Sequence, residues 1–198
     1  MRSKLLFPTA IYAEDLPNAK ELNKYLIKHI KQWHKKDKGI QKTNRGGWHS
    51  TVDMHEKKEY EPLVKELICM ATGVHREEGY TEPLILGNMW ANINYPHCFN
   101  KDHVHPNCCW SGVYYIKTPQ NCGSLHIEDP RTGSNMIMPK QLPKNKIPQR
   151  LWRSWRYEPK EGTLIMFPAF LNHCVNVNES KLKGEKGWRI SVSFNFIQ

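Results

Sequence analysis

The sequence predicts an α+β domain that is mainly β, with two helices first and a sandwich or barrel of strands after them. Three observations carry this. Apolar residues recur at helical spacing twice before residue 73, the period switches to strand-like after residue 83, and Pro, Gly and Asn clusters separate the later runs.

In the first helix, expected over 16–34, Leu22, Leu26, Ile30 and Trp33 recur on one face and lysines occupy the other. The second, expected over 60–72, has the wider stripe Tyr60, Leu63, Val64, Leu67, Ile68 and Ala71. Pro62 suits its first turn, and Gly73 suits the residue just past its end. Strand-like runs follow at 84–94, 111–117, 124–128, 163–168, 173–177 and 188–196. The reading is one domain over 1–198, with a helical annex to about 83 and a β unit beyond it. The long break at 129–162 carries Lys140, Lys144, Lys146, Arg150, Arg153 and Arg156 with Trp152 and Trp155. A loop of that length in a compact domain is usually functional or mobile.

With 39% apolar and 24% charged residues, wholesale disorder is excluded. No apolar run approaches the ~20 residues that span a bilayer. Pro8, Glu14 and Asp15 interrupt the N-terminal apolar patch, so no signal peptide is expected and the chain reads as soluble and cytoplasmic. Six cysteines form no CxxC pair, which excludes zinc-ribbon and thioredoxin readings and fits reduced thiols. The formal charge of +10 permits contact with a polyanion, for which the basic, aromatic 140–156 segment is the candidate surface.

Of ten histidines, His29 and His34 read as solvated on the lysine face of the first helix, and His55 and His75 as incidental. His103 and His105 differ. In extended backbone, residues i and i+2 project to one side, so both imidazoles can converge on one point. His173 follows the strand-like run 163–168. A close pair plus a distant third ligand is the pattern of a metal site with positions left open. In the last run, Trp188, Ile190, Val192, Phe194 and Phe196 share one face, and Arg189, Ser191, Ser193 and Asn195 the other. Arginine gives a two-pronged, permanently charged grip on a carboxylate, and Ser191 adds a donor beside it.

These residues, with the segments LLFPTAIY, NRGGWHS, WANINYP, HVHPNCCWSGVYYI, EDPR, PKEGTLIMFPAFLNHCV and RISVSFNF in that order, resemble the 2-oxoglutarate- and iron(II)-dependent oxygenases. The likeness is to a group of small members common in marine bacteria and phages. It implies a double-stranded β-helix (jelly-roll) barrel over about 84–198 with an N-terminal helical layer. It also implies Fe(II) held by His103, His105 and His173, and 2-oxoglutarate held by Arg189 and Ser191, with Tyr115 and Asn94 as further contacts. Dioxygen is the second cosubstrate, and the reaction is hydroxylation of a C–H bond with release of succinate and carbon dioxide. One departure stands out. The family's usual first pair is His-x-Asp or His-x-Glu, whereas this chain has His103-Val-His105. Asn107 and Asp129 are the alternatives for the third ligand. Asp102 neighbours the pair but points the other way on a strand, and Arg131 is the alternative anchor. Two other readings compete: a cupin-like metal barrel that does not use 2-oxoglutarate, and a basic nucleic-acid-binding module without catalysis. The primary substrate is not legible.

Overall fold

A computed structural model describes residue 2, residues 4–131, residues 133, 136, 140 and 143, and residues 146–198. Helix α1 (Ala19–Lys36) buries Leu22, Leu26 and Ile30, as the spacing requires. Helix α2 (Glu61–Glu77) carries Pro62 in its first turn and buries Leu63, Leu67, Met70, Ala71 and Val74. It does not stop at Gly73. Burying Val74 extends the apolar stripe by a turn, which offsets the roughly 1 kcal/mol that glycine costs inside a helix. The stop falls at Gly79, whose φ of +69° is the left-handed conformation that glycine adopts freely.

Eleven strands are named among the described residues: β1 (Tyr12–Asp15), β2 (Asn44–Arg45), β3 (Trp48–His49), β4 (Ile85–Asn94), β5 (Phe99–His103), β6 (Trp110–Lys117), β7 (Leu125–Glu128), β8 (Ser154–Tyr157), β9 (Thr163–Pro168), β10 (His173–Val175) and β11 (Arg189–Ile197). They form a six-stranded sheet in the order β1-β9-β6-β11-β4-β3 and a five-stranded sheet in the order β2-β5-β10-β7-β8. Every pairing within the two sheets is antiparallel. Among the described residues no α-helix separates the strands after residue 85, as expected.

The first 83 residues are more than a helical annex, because β1, β2 and β3 are edge strands of the two sheets. Runs of two to four residues are too short to display an alternation, so the sequence hides them. Gly46 and Gly47, at φ +67° and +70°, turn the chain from β2 in one sheet to β3 in the other. The 129–162 break likewise contains β8.

Strand β11 divides the interior in two. Ile190, Val192, Phe194 and Phe196 pack with α1 and α2 in the larger core, which also takes Met89, Ala91 and Ile93 of β4. The smaller core, Tyr115, Leu125, Ile127, Ile165, Phe167 and Leu171, joins residues of the two sheets. Gly112 of β6 sits where a Cβ would lie 2.2 Å from the Phe194 ring and 2.4 Å from the Ile165 carbonyl oxygen. Gly112→Ala should therefore overpack the sheet and cost about 1–3 kcal/mol, lowering the urea midpoint with an unchanged m-value. An unchanged midpoint would mean that the ring moves aside and that the ladder also gives at Ile165.

Candidate metal centre

The His103 and His173 backbones face each other across the β5–β10 ladder. His105 follows β5, and its backbone N–H donates to the Ala169 carbonyl at 3.1 Å. The three side chains converge. One nitrogen from each lies within 4.8 Å of the others, and among the described residues this is the one such His/Cys/Asp/Glu cluster.

The tautomers follow from the hydrogen bonds. His103 Nδ1 donates to the Lys101 carbonyl at 2.7 Å, and His173 Nδ1 to the Leu171 carbonyl at 2.8 Å. Each ring is thereby held by a carbonyl two residues upstream, which leaves its Nε2 lone pair for the cluster. A backbone carbonyl holding one ring nitrogen so that the other is free is how metal-binding histidines are commonly oriented. His105 Nε2 lies 3.3 Å from His173 Nε2. Adjacent ligands at about 2.1 Å from one ion in square geometry are about 3 Å apart, so the spacing suits a shared cation.

Burial, with the neighbouring imidazoles, holds His105 down at about 3 and His173 at about 4, from an ordinary value of 6.5. His103 is lowered as well, mainly by burial. All three are therefore neutral near pH 7, as ligands must be. The unfolded chain takes up protons near pH 6.5 that the fold refuses, so stability is fully present above that pH and falls as the pH falls. His34 and His49, also lowered by burial, act in the same direction. The urea midpoint of metal-free protein should fall between pH 7 and pH 5, and a flat profile across that range would exclude a neutral cluster.

Beside the cluster lies a cavity of about 410 Å³ whose wall includes the three histidines, Arg189, Ser191 and Tyr115. Arg189 is 3% exposed. Its Nη1 donates to the Gly123 carbonyl at 3.1 Å and its Nη2 to Asn94 Oδ1 at 2.9 Å, while Nε is buried with no partner. No carboxylate among the described residues pairs with it. A guanidinium in that state calls for an anion, since an unpaired buried charge costs several kcal/mol. Burial keeps the Tyr115 hydroxyl protonated far above the usual phenol range, despite the opposing Arg189 charge.

Asn94 backs the guanidinium rather than lining the cavity. Asp102 is exposed and does not join the three histidines, consistent with its pointing away. Asn107 is exposed at φ +64°, and Asp129 pairs with Arg131 at 2.8 Å, so neither joins the histidines. Arg131 is itself exposed and engaged, which leaves Arg189 as the buried cation of the cavity wall.

His34 is not solvated as its lysine-rich face implied. It bonds the Tyr95 hydroxyl at 2.8 Å and packs edge-on to Trp48 and Trp188. In the basic segment, Trp155 packs against the smaller core, and Lys144 lies outside the described residues. No described residue of 140–156 lines the cavity. Beside His49 of the NRGGWHS segment, the wall includes Trp90, Asn88 and Ser111, which the sequence reading passed over. Their signal was the register: Trp90 pairs with Ser193, and Asn88 and Ser111 flank Asn195, on the polar face of β11.

A family model described as 2OG-Fe(II) oxygenase matches residues 88–195. No curated protein matches. Among solved structures, a Pseudomonas putida prolyl-4-hydroxylase is similar at TM-score 0.65 and 13% identity, over 96% of this chain and 93% of that one. The α-ketoglutarate-dependent epimerase SnoN of nogalamycin biosynthesis gives 0.68 and 10%, over 96% and 77%. HygX from Streptomyces hygroscopicus, solved with nickel and 2-oxoglutarate, gives 0.63 and 10%, over 95% and 82%. At such identities the likeness is one of fold.

Proposed function

Because the chain belongs to the 2OG-Fe(II) oxygenase family and is a 2-oxoglutarate- and Fe(II)-dependent dioxygenase, we propose that it hydroxylates a C–H bond of its primary substrate at the histidine cluster. In this reading a single jelly-roll domain holds iron through His103, His105 and His173. The observation that carries the reading is the pairing, in one cavity, of three convergent neutral imidazoles with a buried guanidinium whose Nε has no partner. A cupin-like site without 2-oxoglutarate has no use for that cation.

Iron with 2-oxoglutarate, when bound, supplies dioxygen activation and the oxidising power for C–H cleavage, with release of succinate and carbon dioxide. The chain's part is positioning. His103 and His173, fixed by Lys101 and Leu171, present lone pairs without a reorientation cost. Arg189, propped by Asn94 and Gly123, would grip the distal carboxylate, with Ser191 donating beside it. The Tyr115 hydroxyl remains a donor and never a competing charge. Leu125, Phe167 and Val175 contribute apolar wall that limits water at this end.

The test is calorimetric titration of 2-oxoglutarate into manganese-loaded protein under nitrogen. Binding below millimolar concentration is expected, and its absence would sink the assignment.

A further inference from the structure

The polar face of β11 continues past the cluster, and what it becomes there bears on the primary substrate. Trp90, level with Ser193, lies 5.9 Å ring to ring from His105. One step further along β11, on the side away from Arg189, Asn195 sits between Asn88 of β4 and Ser111 of β6. Arg189 and Asn195 are six residues apart on one strand, about 20 Å. The cavity wall reaches both ends.

The hydrogen bonds at the far end run in one direction. Ser111 Oγ donates to Asn195 Oδ1 at 2.7 Å, and Asn195 Nδ2 donates to Asn88 Oδ1 at 2.7 Å. With its oxygen taken, Asn88 is left to present its amide NH₂. Nearer the cluster, Asn92 Nδ2 donates to Ser193 Oγ at 3.1 Å, which frees that hydroxyl to donate in turn. On the adjoining wall the His49 ring lies parallel to Trp90, with an interplanar angle of 8° and centroids 5.4 Å apart. His49 Nδ1 donates to the Ser50 carbonyl at 2.6 Å, so Nε2 is an acceptor. The described wall thus offers donors and an acceptor beside apolar surface from Trp90 and Val113. It contains no carboxylate, and its lysine and arginine are the exposed Lys42 and the distant Arg189.

We propose that this end is the primary-substrate subsite, and that it takes an uncharged molecule bearing a carboxamide-type group whose carbonyl accepts from Asn88, with His49 as an acceptor further along the wall. The proposal rests on the oxygenase reading and adds the substrate class. A cation would find no counter-charge there. A carboxylate would gain more from Arg189, so an uncharged subsite also keeps the cosubstrate's two ends from binding in the wrong half.

Three matched probes decide it: benzamide, benzoate and benzylamine, each titrated into protein loaded with manganese and 2-oxoglutarate. The readout is paramagnetic broadening of the probe's ring protons by the metal. Benzamide should bind about tenfold or more tighter than either charged probe, a difference of one well-placed hydrogen bond with its desolvation. Asn88→Asp keeps the oxygen that accepts from Asn195 but replaces the donating NH₂ with a carboxylate oxygen. It should lose benzamide by about tenfold and favour benzylamine, while Asn88→Ala should lose benzamide without gaining benzylamine. The proposal is overturned if wild type prefers a charged probe, if no probe is broadened at 10 mM or so, or if Asn88→Asp keeps the wild-type order. In each case retained 2-oxoglutarate binding leaves the oxygenase assignment standing. Failure of 2-oxoglutarate itself to bind overturns both.

Discussion

Replacing Arg189 with alanine is expected to weaken 2-oxoglutarate binding by about 30- to 1,000-fold, or about 2–4 kcal/mol, as for truncation of one partner of a buried charge pair. The size follows from the setting. The guanidinium is 3% exposed and pairs with no carboxylate among the described residues, so a bound dicarboxylate would complete it in a poorly hydrated space. Arg189→Lys should recover only part of the loss, because an ammonium cannot reproduce a two-pronged contact and would abandon either Asn94 or Gly123. Manganese affinity measured without cosubstrate should stay near wild type in both variants. If Arg189→Ala binds 2-oxoglutarate as wild type does, the anchor lies elsewhere.

Removing His173 should act on the metal instead. His173→Ala takes away the most buried of the three rings, and manganese affinity should drop by more than about 100-fold, above the 10- to 100-fold typical of losing an outer-shell partner. His105 tests the departure from the usual triad. His105→Ala should lose metal affinity to a similar degree, whereas His105→Asp restores the common two-histidine, one-carboxylate set and should stay within about tenfold of wild type. An unaltered affinity in His105→Ala would remove that residue from the ligand set.

The parts of this molecule that were legible in its sequence are those with a long enough period. Helices α1 and α2 span 18 and 17 residues, and β11 spans nine, so their faces could be read before any coordinates. The polar face of β11 carries Arg189 and Ser191 into the cavity, as the alternation implied. The His103–His105 pair was legible because extended backbone puts i and i+2 on one side. Strands β2 and β3 were not, because two residues have no period, although their segment NRGGWHS does reach the cavity through His49. Asn88 and Ser111 gain their meaning from cross-strand register with Asn195, which a single strand cannot announce. The end of α2 was misplaced because Gly73 meets nothing within 4 Å of where its Cβ would be and needs no unusual backbone angle there.

The division of labour between the two sheets has a mechanical consequence. Arg189 belongs to the six-stranded sheet, whose other face is clamped by α1 and α2 through the larger core. His103 and His173 belong to the five-stranded sheet, whose strands contribute nothing to that core. A cosubstrate reaching from guanidinium to metal would act as a tie-rod between a braced plate and a freer one. Tension in the rod would be shared between a plate backed by the helices and one that is not. Metal grip and cosubstrate grip then become two readings of one gauge, the gap between the plates, and whatever sets that gap tunes both at once.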